Sequence, residues 1–146
     1  MAYQWHSNPQ FTRILMVESY FGHEGIVKLL FEAKADADSK DDDGRTPLPW
    51  AAENGRYEGV VKLLLEAKAD AESKDNDSRT PLSWAAANGH KGVVKLLLEA
   101  KADVDSKDNY SGTPLPWAAA NWYEGVVKLL ESFSAISFSA SSPLTT

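Results

Sequence analysis

Thr80-Pro81-Leu82-Ser83-Trp84-Ala85-Ala86-Ala87-Asn88-Gly89-His90-Lys91-Gly92-Val93-Val94-Lys95-Leu96-Leu97-Leu98 decides the fold, because the chain writes it more than once. Thr46-Pro47-Leu48 and Thr113-Pro114-Leu115 reproduce its opening at steps of 34 and 33 residues. Trp50 and Trp117 reproduce its tryptophan at the same offset, each running into a pair of alanines. The closing run returns as Val60 to Leu64 and as Val126 to Leu130, with an earlier echo from Ile26 to Leu30. Self-similarity at a period of roughly 20 to 50 residues is the mark of a solenoid, in which each unit buries its apolar face only by stacking on its neighbours. Three clear copies follow one degenerate copy.

Each unit reads as helix, turn, helix, loop. Thr46 suits an N-cap, since its hydroxyl accepts from an orphan amide of the first turn. Pro47 then occupies the first helical position, where a missing N–H does no harm. Asn54-Gly55 closes the first helix, glycine supplying a positive φ. The second helix carries Val60, Val61, Leu63, Leu64 and Leu65, an apolar set too broad for a helix with one wet face. Between units lie polar loops, Ala35 to Arg45, Ala69 to Arg79 and Ala102 to Gly112, rich in the aspartate, asparagine, serine and glycine of turn chemistry.

The pattern D-x-x-G-x-T-P-L-x-W-A-A-x-x-G-H, followed by V-V-K-L-L and then A-D, resembles the ankyrin repeat over about residues 12–131, in wording similar to the ankyrin arrays of filamentous fungi. The resemblance implies an all-α, L-shaped stack of about four helix-turn-helix units joined by β-hairpin-like loops. Units are expected near 12–40, 41–74, 75–107 and 108–131, after an N-terminal segment 1–11 and before a Ser-rich tail or cap, 132–146. It also implies that a protein partner docks on the concave surface made by loop tips and first helices.

Five departures from that pattern carry expectations. Lys34, Lys68 and Lys101 stand where the family has glycine after the second helix, and a left-handed conformation there costs roughly 1–2 kcal/mol for a residue with a Cβ. Pro49, Ser83 and Pro116 replace a histidine, and each proline removes an amide that the threonine could cap. The second unit has one extra residue at its inter-helix turn, and the last puts Trp122 in place of the turn glycine, which predicts a different turn there. After Leu130 the repeat fails, leaving Phe133, Ile136 and Phe138 either to cap the last unit or to continue a longer array. The repeat tryptophans are expected in the core, His23 and His90 in structural roles beside their turns, and Trp122 either exposed or under the tail.

Composition narrows the function. The chain is 43% hydrophobic and 25% charged with a net charge of -6, which argues against nucleic acid and anionic membranes as partners. It has no cysteine, hence no disulfide, thiolate metal site or thiol nucleophile. The N-terminal segment, which includes His6, lacks a signal-peptide core, and no apolar run nears the ~20 residues of a membrane span, so an intracellular chain, cytoplasmic or nuclear, is expected. No phosphate loop, zinc spacing, nucleophile elbow or calcium loop occurs, so no catalytic residue, metal or cofactor is assigned and enzymatic activity is not expected.

A protein-interaction module, serving as scaffold, adaptor or recognition segment, is therefore the expected function. The alternative is a structural protein that self-assembles head to tail through its solenoid ends. Partner contacts are expected from Asp43, Arg45, Glu53 and Asn54, from Asp77, Arg79, Ala87 and Asn88, and from Tyr110, Ala120 and Asn121. Asp42, Asp43, Asn76, Asp77 and Asn109 would form an acidic comb at successive tips, favouring a basic partner.

Overall fold

The computed structural model describes residues 9–141, with side chains through residue 134. Helices α1 (Pro9–Phe21), α2 (Glu24–Glu32), α3 (Pro47–Asn54), α4 (Glu58–Glu66), α5 (Pro81–Ala87), α6 (Lys91–Glu99), α7 (Pro114–Ala120) and α8 (Glu124–Ser141) follow one another, with no strand among the described residues. The loops are nevertheless hairpin-shaped: Asp41 N–H donates to the Arg45 carbonyl at 2.9 Å, and Asp75 and Asp108 repeat the bond. The odd-numbered helices stack in one row and the even-numbered helices in a second. We call these the inner and outer rows.

One continuous core runs between the rows. Leu48 and Leu82 of the inner row meet Val60, Val61, Leu64, Val93, Val94 and Leu97 of the outer row, all fully buried. Ala51, Ala52, Ala85 and Ala86 are also buried, short side chains that let adjacent inner helices approach closely. Polar bonds clamp the junctions as well. Asp70 N–H donates to the Asp38 carboxylate at 2.9 Å, Asp103 N–H to Glu72 at 2.7 Å, and the His90 ring bonds the Glu53 carbonyl at 2.8 Å.

The prolines act as the sequence predicts. Thr80 accepts from the Ser83 N–H at 3.3 Å, whereas Thr46 and Thr113, whose equivalent amides belong to Pro49 and Pro116, make no side-chain cap. The Thr46 hydroxyl is instead bonded to Ser73, in the loop that leads to the next unit, at 2.9 Å.

Each of the first three outer helices ends with a lysine in the left-handed region, Lys34 at φ 71°, Lys68 at 65° and Lys101 at 70°. Ala35 N–H reaches back to the Leu30 carbonyl, Ala69 to Leu64 and Ala102 to Leu97, closing the same helix-ending motif three times. Trp122 corrects the expectation of a different turn. It adopts φ 63°, and Tyr123 N–H bonds the Ala118 carbonyl just as His90 N–H bonds Ala85 after Gly89. The stack imposes the turn and the tryptophan accepts it, its ring 86% exposed. The tail begins as helix, since α8 runs unbroken past Glu131, and Phe133 packs half-buried against the core. The side chains of Ile136 and Phe138, and His6, lie outside the described residues.

Candidate binding face on the inner helices

The face is organised by one aspartate per loop. Asp41 accepts the N–H groups of Asp43 and Arg45 with one oxygen, both at 2.9 Å, and the Trp50 indole N–H with the other at 2.7 Å. Asp75 does the same for Asp77, Arg79 and Trp84, and Asp108 for Tyr110, Gly112 and Trp117. One carboxylate thus folds each loop and points the indole of the following helix. Burial pushes the Asp108 carboxyl up, but the N–H donors of Gly112 and Tyr110, the Trp117 indole and the charge of Arg79 outweigh it and hold Asp108 below the usual aspartate range.

The tryptophans stand at the edge of the core rather than inside it, Trp84 packing against it. They are half-buried on the inner row, where they form a ladder with the arginines. Arg45 stacks over Trp50 at 3.7 Å and over Trp84 of the next unit at 4.2 Å. Arg79 lies between Trp84 and Trp117 at 5.3 and 5.4 Å. Gly112 occupies the arginine position of the last unit, so the ladder ends on Trp117. Each guanidinium bridges two repeats, gluing the junction and displaying aromatic surface at once.

Arg45 is buried and also donates to the Pro49 carbonyl at 3.2 Å and the Glu53 carboxylate at 3.0 Å. Ala87 and Ala120 take the place of Glu53 in the later units. The three asparagines at the inner-helix ends use their amides within the stack: Asn54 bonds the Tyr20 carbonyl, Asn88 the Trp84 carbonyl at 2.8 Å, and Asn121 the Ala87 and Trp117 carbonyls at 3.2 and 3.0 Å. At the tips, Asn76 N–H bonds the Asp43 carbonyl at 3.0 Å and Asn109 N–H the Asp77 carbonyl at 2.9 Å. The backbones of Asp43 and Asp77 therefore knit the tips together while their carboxylates face solvent. Tyr110 completes this row and is 73% exposed.

At the other end the face turns apolar. Val17 and Phe21 are half-exposed, and with Met16, Tyr20 and Trp50 they line a shallow pocket, Tyr20 meeting Trp50 edge-on with ring centres 5.9 Å apart. Of the residues read from sequence, the structure thus gathers Asp43, Asp77 and Tyr110 at the tips, and Arg45, Glu53, Arg79 and Ala87 along the ladder. Asn54, Asn88, Ala120 and Asn121 lie at the ends of the inner helices. The reading missed Asp41, Asp75 and Asp108, although each sits nine residues before its tryptophan, a spacing that could have paired them.

No cluster of three or more metal-ligating side chains lies among the described residues, and no helix there is long and apolar enough to cross a membrane. The family model for ankyrin repeats (3 copies) matches residues 14–108 and again residues 57–138. A search of curated proteins finds no match.

Proposed function

The chain belongs to the ankyrin-repeat family, whose repeats are generally protein-interaction modules, and we propose that it binds a protein partner across the inner-helix face and loop tips, as a scaffold or adaptor. The observation that carries this reading is the tryptophan–arginine ladder, a rigid, half-open strip of the side chains that dominate binding hot spots. Tyr110 extends the strip at one end, and Val17 with Phe21 extends it at the other. The exposed carboxylates of Asp42, Asp43 and Asp77 favour basic residues of the partner at the tips, with affinity falling as salt rises.

Head-to-tail assembly lacks comparable support. At each internal junction a ring of the next unit covers a turn glycine: Tyr57 over Gly22, His90 over Gly55 and Tyr123 over Gly89, each where a Cβ would collide. Trp122 fills that position at the last unit, so another repeat stacked in register would meet an indole instead of a bare glycine.

The test is selection of random displayed peptides against the protein. Selected peptides should lose about tenfold or more in affinity for Tyr110→Ala. That ring stands mostly in solvent, so the melting temperature should be unchanged. Failure to select any binder, or binders indifferent to both Tyr110→Ala and Trp84→Ala, would overturn the reading.

A further inference from the structure

Arg79 is placed like Arg45 but forms no ion pair among the described residues. Arg45 holds the Pro49 carbonyl and the Glu53 carboxylate. One repeat on, those positions are Ser83 and Ala87, and the Arg79 guanidinium makes no hydrogen bond or ion pair among the described residues. Its Nε is buried without a partner, as is that of Arg45, so the two differ at the outer nitrogens of the guanidinium. Its two indoles stand off by more than an ångström further than those of Arg45, and between them a cleft opens, lined by Arg79, Ser83, Trp84, Ala87 and Trp117. Asp108 feels the charge of Arg79, but its oxygens already serve Tyr110, Gly112 and Trp117 and lie beyond ion-pair reach. Arg45 is closed off from solvent by its own partners, whereas Arg79 is only half-buried.

We propose that this cleft is a carboxylate-binding site: a glutamate or aspartate side chain of the bound protein segment enters over Ala87 and pairs with Arg79, taking the place that Glu53 holds beside Arg45. The chemistry favours a carboxylate. A guanidinium offers planar N–H donors matched to two carboxylate oxygens, and here the flanking indoles exclude water from one side of the pair. The walls, apart from Arg79 and Ser83, are apolar and suit the methylenes of the incoming side chain. The partner segment then presents an acidic residue to the cleft and basic residues to the tips, a charge order that fixes its register along the face. The inference rests on the inner-helix face being the docking surface.

The test uses N-acetylglutamate N-methylamide as the probe and its glutamine twin as the control, at matched ionic strength, observed through the indole N–H signals of the intact protein. The acid should shift Trp84 and Trp117 by about threefold more than the amide, the ratio expected of one partly exposed ion pair, and leave Trp50 in place. Ala87→Glu, which supplies the missing carboxylate from within, should abolish the difference, as should Arg79→Gln if it folds. Equal responses to acid and amide, or an unchanged response in Ala87→Glu, would overturn the site. Selected peptides that bind without a carboxylate, alongside a silent probe, sink the site and leave the module intact. A responding probe with no selectable peptide does the reverse.

Discussion

Replacing Lys34, Lys68 and Lys101 with glycine should stabilise the protein, although it removes three charges and touches no core residue. All three are held at φ between 65° and 71° by the helix-ending hydrogen bonds, a region that costs a residue with a Cβ roughly 1–2 kcal/mol. Glycine removes that cost but widens the unfolded ensemble, returning about 0.4–1 kcal/mol. The net gain is roughly 0.5–1 kcal/mol per site, hence about 2 kcal/mol for sites in three separate repeats. The lysine side chains are exposed and form no ion pair among the described residues, so little else is lost. For a chain of this size the gain corresponds to a melting temperature higher by about 6 °C. Urea denaturation followed by far-UV circular dichroism measures it, with Lys→Ala at the same sites as the control that keeps the strain. A triple glycine variant no more stable than the triple alanine variant would refute the claim that the stack forces these lysines into a strained conformation.

Asp75→Ala should destabilise the protein by roughly 3 kcal/mol in urea, because two backbone N–H groups and the Trp84 indole lose a charged acceptor together. Trp122→Gly should gain about 1 kcal/mol from the same turn strain, and by clearing the glycine position should let mass climb with concentration in light scattering while the parent stays monomeric. Burial raises the Glu72 carboxyl, against the opposing Asp103 N–H and with the added charges of Asp103 and Asp70, so ionised Glu72 burdens the fold above its own pKa. Glu72→Gln should therefore be more stable at pH 7, the advantage vanishing as pH falls below about 4. Asp108 runs the other way: its depressed pKa gives stability that is complete above about pH 4 and drains as pH falls through the folded value, so Asp108→Asn should flatten the acid limb of a melting-temperature profile.

The fold was legible because its signals are local and repeated. Thr-Pro starts, Asn-Gly stops and broad apolar second helices each specify a helix end or a buried side without reference to the rest of the chain. Even the uncapped Thr46 and Thr113 followed from prolines three residues on. The site was legible only in part, because its residues meet across repeats. Arginine and tryptophan in one unit are five residues apart, but the second ring over each arginine comes from the next unit, and nothing in a single period announces it. The tryptophans misled for a related reason. An aromatic at a fixed position on an inner helix reads as core, yet alanines fill the space between inner helices and leave the indoles at the rim. Trp122 shows the limit of residue preference, since a turn already closed by Tyr123 N–H and the stack behind it overrides the reluctance of a bulky side chain to take positive φ.

What distinguishes the units is how each fills the same three places. The second unit fills all of them, with Arg45, Glu53 and Trp50, and is closed. The third keeps its arginine and indole but loses the acid at Ala87, and the last keeps only Trp117, with Gly112 and Ala120 in the other two. Nearly identical repeats thus grade from self-satisfied to open along one face. Leaving Arg79 without a carboxylate forgoes an ion pair that a single alanine-to-glutamate change at Ala87 would supply. On the docking face proposed above, mutations in the ladder should change stability and binding together, whereas Ala87→Glu should separate them, tightening the junction while closing the cleft.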